Sequence, residues 1–415
     1  MKKTLEYLKT RKAYEIIFLV LTFAGFLAWI IGLVINGVDG KQIELFIGRC
    51  NNFFADITNP MGYAAHRNVY NETYYFGGSE RAYPPISYVI AYCFSRIIDM
   101  QPYFDANFFW DLYKDPQILI ILIIAIIINM LIIYEIVRSY KEGNNAVKIA
   151  TALAVCVSMP VLFTIERANL LLLTIVFVFF YIFNYDSENR IRKELALMSL
   201  AIAASFKLTP AVLGILLLYN KQWKEAVRVI IYGVIFGILP FLFFEGGFSN
   251  IAQMFKNASM NLASYSSAEG TTLVAVLVSF GAEATEHMMK VVQNITYVIG
   301  AILLFEAFFF NKKWETILAV TMVLIIVPSH SGYYCIIYIL PALIAFLNAK
   351  EHSYWDLLIL IAMFFIVNDF QSYLTQNVLS YHISIVIILL VLLVRGTKNV
   401  ITRISSKKTQ DIKYT

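Results

Sequence analysis

The charged and proline-marked residues of this chain interrupt long apolar runs, and nearly all the interruptions map to one side of a membrane when the runs are threaded back and forth. That pattern restricts the fold more than any motif does. The runs have helical length and lack the alternation of barrel strands. A sequence that is 59% apolar and only 15% charged cannot fold around an aqueous surface. The chain is therefore read as an all-α, polytopic membrane protein. Its 415 residues leave room for roughly a dozen spans of about 20 residues and one or two sizeable loops, so a single integrated domain over 1–415 is expected.

Basic residues set the orientation. Five Lys/Arg precede Ala13, and no small-residue cleavage site follows the apolar run 13–36, so this run reads as a retained first helix with a cytoplasmic N-terminus. It delivers a large first outer loop, 37–115. Within that loop Ile86 to Met100 is short and carries Arg96. A re-entrant path there keeps Asp105, Asp111 and Asp115 outside and puts Arg138, Lys141 and Lys148 inside, as the positive-inside rule asks. Helices are then expected over 116–244, with Leu195 to Tyr219 divided by Lys207 and Pro210. A second outer loop follows at 245–290, more helices at 291–395 and a cytoplasmic tail at 396–415, making about twelve crossings. No internal repeat is visible, which counts against a transporter built from paired halves.

The net charge of +5 sits at termini and short loops, where it orients helices, and it implies no nucleic acid. The four cysteines lack metal-ligand spacing, and only a Cys50–Cys93 disulfide is conceivable. His66, His287, His352 and His382 show no metal spacing either, and no nucleotide-binding or hydrolase motif occurs. No metal and no cofactor are expected.

Several polar residues need an account. Asp56 lies among apolar neighbours in the first outer loop, where partial burial would suit it to act as a general base; a solvated or helix-capping Asp is the alternative. Tyr83-Pro84-Pro85 reads as a helix start that fixes the loop at the membrane surface. Glu166-Arg167-Ala168-Asn169 joins two apolar runs with no room for a loop, so it either faces a polar cavity or closes as its own Glu–Arg pair. Lys207 breaks an apolar run, by snorkelling or by binding phosphate. In Pro328 to Tyr334, His330 between two hydroxyls could hydrogen-bond phosphate or sugar, or the segment is a plain turn with interfacial tyrosines.

Taken in order, Asp56, Tyr83-Pro84-Pro85, Glu166-Arg167-x-Asn169, Lys207-x-x-Pro210 and Pro328 to Tyr334 resemble the GT-C superfamily of membrane glycosyltransferases. The closest resemblance is to glycosyltransferase family 87, the polyprenol-phosphate-mannose-dependent mannosyltransferase-like proteins, over roughly Gly37 to Leu347. The resemblance implies a GT-C-like fold with a large first extracytoplasmic loop. It also implies transfer of a hexose from a polyprenyl-phosphate sugar to a lipid or cell-envelope glycan acceptor at the outer face of the plasma membrane, usually with inversion. On it, Asp56 would be the base, Arg167, Lys207 and His330 would hold the donor phosphate, and Tyr83, Pro84, Glu166, Asn169 and Tyr333 would shape the site. Asp56 has no acidic neighbour, so a metal requirement is not implied. A monomer suffices for this chemistry. A flippase of lipid-linked saccharides is the alternative class, since it too would place cations and aromatics at a polar cavity.

Overall fold

The computed structural model describes residues 9–36, 54–71, 81–105, 109–260, 270–328, 331–368 and 380–411. Every regular element among them is helical, and the only β pairings are two isolated bridges, Thr10 with Glu351 and Gly270 with Gly332. We number the principal helices α1 (Arg11–Asn36), α2 (Ala55–Ala64), α3 (Pro85–Ser95), α4 (Pro116–Tyr140), α5 (Asn145–Cys156), α6 (Met159–Glu166), α7 (Leu171–Asn184) and α8 (Arg190–Phe206). There follow α9 (Trp223–Gly233), α10 (Asn250–Met260), α11 (Leu273–Ser279), α12 (Glu286–Glu306), α13 (Lys313–Ile326), α14 (Ile339–Asn348), α15 (Asp356–Val367) and α16 (Ser380–Asp411).

Four helical stretches among the described residues are long and apolar enough to cross a bilayer: α4, Trp223–Phe243, α12 and Ser380–Ser406. The α5–α6 pair makes a fifth if its 45° bend lies within one span. The bend has a local cause. Pro160 has no N–H for the Cys156 carbonyl, and its ring clashes with that carbonyl, so the helix breaks at Val157-Ser158. α3 is an 11-residue helix, too short to span about 30 Å of hydrocarbon, in keeping with a re-entrant or short element at 86–100. Pro84 takes the extended conformation and Pro85 opens the helix, where its missing N–H costs nothing. The expected break at Lys207-Pro210 is present: α8 ends at Phe206, and a 3-10 turn resumes at Thr209.

The end of the chain departs from expectation. The last helix does not stop at Arg395 but runs to Asp411. The sequence after Arg395 contains no proline, and Gly396 is there for packing: a Cβ on it would collide with the Glu306 carboxylate of α12. Glycine here lets two helices approach rather than ending one.

Contacts group the chain into two compact units. One comprises Met1–Ala24, Lys141–Val147 and Ser266–Thr415. Charged side chains are paired within it: Asp356 with Arg395 and Lys312, Glu315 with Arg395, and the fully buried Lys141 with Glu15. The other comprises Gly25–Tyr140 and Lys148–Tyr265. Its core around the first loop is aromatic and aliphatic, with Ile57, Met61, Val69, Tyr70, Tyr88 and Phe241 among its buried members. α2 and α3 pack together there, and α3 also packs on α8.

Candidate functional site

The second unit holds a polar group fixed by both backbone and side-chain hydrogen bonds. α6 ends in a Schellman motif: Ala168 N–H donates to Ile165 O (2.9 Å) and Asn169 N–H to Thr164 O (3.1 Å). The left-handed position of such a motif normally goes to glycine, yet here Ala168 occupies it with φ 45°. A non-glycine residue there costs about 1–2 kcal/mol. That strain fixes where Arg167 and Asn169 point.

The N-terminus of α2 meets this turn end to end. Phe54 N–H donates to Glu166 O (2.9 Å) and Asp56 N–H to Arg167 O (3.1 Å). Orphan donors at the start of one helix thus satisfy orphan acceptors at the end of another. Phe54 must itself turn left-handed, φ 58°, to enter the helix, and α2 has no side-chain cap. The backbone contact does the capping instead.

The side chains close the same junction. Arg167 Nη2 donates to Asp56 Oδ1 (2.7 Å), and Asn169 Nδ2 donates to Asp56 Oδ2 (2.7 Å). The Asn169 amide has a forced orientation, because its Oδ1 accepts from the Leu171 backbone N–H (2.9 Å), which can only donate. The nitrogen must therefore face Asp56, and Asp56 must accept. Each carboxylate oxygen keeps one further lone pair for a ligand. Both partners stay within reach of solvent, with the Arg167 side chain 19% and the Asp56 side chain 13% exposed. The charge of Asp56 also sits in the first turn of α2, where the helix dipole favours an anion.

Every residue of α2 is buried except Asp56 and Asn59. They lie one turn apart on one face, with Cβ atoms about 5–6 Å apart. Asn59 Oδ1 is buried and meets no hydrogen-bond partner among the described residues. Sequence reasoning passed over Asn59, and only its spacing of three from Asp56 on a helix could have signalled it.

A second junction joins α3 to the residue before Lys207. Ser87 Oγ in the first turn of α3 donates to the carbonyl of Phe206 (2.8 Å), the residue before Lys207. The Lys207 backbone is extended there, φ −150°. Tyr83 contributes its carbonyl to Tyr70 Oη (2.8 Å) and its ring to an edge contact with Tyr88. Burial, then the neighbouring Tyr88, pushes the Tyr70 phenol above its ordinary value and keeps it a donor.

The structure therefore gathers Asp56, Arg167 and Asn169 into one hydrogen-bonded group, with the backbone of Glu166 in its scaffold. Lys207, Tyr83 and Pro84 lie in the same unit, where Ser87 ties α3 to the backbone beside Lys207. Tyr333 belongs to the other unit, buried against the ring of Tyr381 at 4.9 Å. His330 lies outside the described residues, as does Cys50. Among the described residues no three His, Cys, Asp or Glu side chains are placed to hold a metal ion.

The model of glycosyltransferase family 87 matches residues 82–329, more than half of the chain. The matched segment contains Tyr83, Pro84, Glu166, Arg167, Asn169 and Lys207, and Asp56 precedes it. No curated protein and no solved structure matches the chain.

Proposed function

This chain belongs to glycosyltransferase family 87, and from that membership we propose that it transfers a hexose, mannose-like, from a polyprenyl-phosphate sugar to a lipid or cell-envelope glycan acceptor. It is a membrane glycosyltransferase by family and by its apolar helices. Our reading adds the donor class, the acceptor class and the extracytoplasmic face of the plasma membrane, each following from the resemblance and from the distribution of basic residues.

One observation carries the chemical assignment: Asp56 is held through both oxygens, by a cation on one and an amide on the other. A carboxylate so oriented can receive the proton of an acceptor hydroxyl on a remaining lone pair as the hydroxyl oxygen bonds to the anomeric carbon. The bond from that carbon to the phosphate oxygen breaks with its electron pair, and negative charge grows on the departing polyprenyl phosphate. Arg167, Lys207 and His330 are the cations we assign to that charge. Tyr83, Pro84, Glu166 and Asn169 shape the surroundings within the same unit. Arg167 links the two halves of the reaction, since it contacts the base and is also assigned to the leaving group.

The test is acceptor-dependent release of polyprenyl phosphate from a panel of polyprenyl-phosphate hexoses by purified protein in liposomes. We expect release by wild type and none by Asp56→Ala. Movement of lipid-linked sugar between leaflets without turnover, unchanged in Asp56→Ala, would replace the enzyme with a flippase.

A further inference from the structure

The membrane-crossing stretch Trp223–Phe243 is exposed along most of its length, with Val227, Ile230, Val234, Leu239 and Leu242 uncovered by protein. In a bilayer that surface meets lipid. The chain then reverses at Gly246 (φ 89°) and Gly247 (φ 52°), conformations open to glycine at little cost, and begins α10 at Asn250. Asn250 stabilises the reversal: its Nδ2 donates to Glu245 O (2.8 Å), and its Oδ1 accepts from Asn71 Nδ2 (3.1 Å).

α10 has two distinct faces. Asn250, Met254 and Asn257 are buried against the unit, and Asn257 Nδ2 donates to the carbonyls of Tyr70 (3.2 Å) and Arg81 (3.1 Å). The other face carries Ala252, Phe255 and Ser259, preceded by Phe248 seven positions before Phe255. Phe248 is 47% exposed and Phe255 is 56% exposed, with Lys256 exposed beside them. One large exposed aromatic in the turn before the helix and a second on it, with a cation beside the second, in a helix that starts seven residues after a lipid-facing span ends, fit a bilayer surface better than bulk water.

We propose that α10 is a membrane-surface helix, with Phe248 and Phe255 inserted at the headgroup boundary of the leaflet where Trp223–Phe243 ends and Lys256 reaching lipid phosphate. The occupant is the phospholipid bilayer, because the exposed Phe248, Phe255 and Lys256 follow only 5, 12 and 13 residues after the lipid-facing stretch ends at Phe243. Through Asn257 the helix ties the membrane surface to Tyr70 and Arg81, which flank the segment leading to Pro84. The bilayer thereby sets the depth of the loop that carries α2 and α3. This inference does not depend on the reaction proposed above.

The test uses spin labels on single cysteines introduced at Phe248, Ala252, Phe255 and the exposed polar control Glu188. The background has Cys50 and Cys93 changed to serine and the buried Cys156 and Cys335 changed to alanine, and the protein is in phospholipid nanodiscs. All four positions except Ala252 and Glu188 replace exposed aromatics, so the labels leave the core untouched. Oxygen, which concentrates in lipid, is expected to collide with the labels at 248, 252 and 255 several-fold more often than nickel-EDTA-diacetate, with the reverse at 188. Adding Phe248→Asp and Phe255→Asp is expected to cut the oxygen preference at 252 several-fold. Nickel collision at 255 equal to that at 188 would overturn the proposal. So would a short label-to-label distance between molecules at 255, which would make the face a protein contact.

Discussion

Removing the charge of Asp56 while keeping its shape separates its two connections. Asp56→Asn is isosteric and can still accept from Asn169 through its one oxygen, but it sets its NH2 against the Arg167 guanidinium and ends the ion pair at 2.7 Å. A charge-assisted bond of this kind, between groups less than one-fifth exposed, contributes about 1.5–3 kcal/mol. If Arg167 must turn from Asp56 toward a donor phosphate, wild-type protein loses that amount on binding. Asp56→Asn should therefore bind farnesyl phosphate about 10- to 150-fold more tightly than wild type while transferring no sugar. Arg167→Ala, which removes the other half of the same pair, should bind it more weakly. Isothermal titration of detergent-solubilised protein with farnesyl phosphate reads both signs, and a melting curve of each variant checks folding. Affinities that move in the same direction in the two folded variants would refute the exchange and take Arg167 off the phosphate path.

Three further outcomes follow from particular contacts. Ala168→Gly relieves a left-handed alanine and should raise stability by up to about 1 kcal/mol, whereas the β-branched Ala168→Val should lower it by more, both read from thermal melts. Asn59→Ala removes no hydrogen bond to a described residue, so the melting temperature should hold while kcat/KM for sugar transfer falls about 10-fold; an unchanged kcat/KM would take Asn59 out of the substrate's reach. Asp356 at the polar end of α15 is raised by burial, but the His352 ring 3.4 Å away, hydrogen bonds from the Ser353 backbone and hydroxyl and the charge of Arg395 outweigh that and hold its carboxyl well below the usual carboxylate range. Its folded value is the depressed one, so its stabilisation is full above about pH 4 and is lost as pH falls further. Asp356→Asn should be less stable than wild type at pH 7, and the gap should narrow only below about pH 4 in a denaturation series.

The sequence by itself determined the class of this protein. Hydropathy and charge act locally and add along the chain, so the apolar stretches that became α4, Trp223–Phe243, α12 and α16 were legible residue by residue. The starting signal at Pro84-Pro85 and the break at Lys207-Pro210 were legible for the same reason, because proline acts on its own backbone and its nearest neighbours. Asp56, Arg167 and Asn169 each stood out singly as polar residues in apolar surroundings. That they are partners could not be read, since a carboxylate's hydrogen bonds depend on which distant segment packs beside it, and Arg167 lies 111 positions away. The glycine-free Schellman turn at Ala168, the capping of α2 by the end of α6, and the glycine at 396 that admits Glu306 likewise belong to packing. In each case a local preference yields to a contact between segments remote in sequence, and only the tertiary structure decides which contact that is.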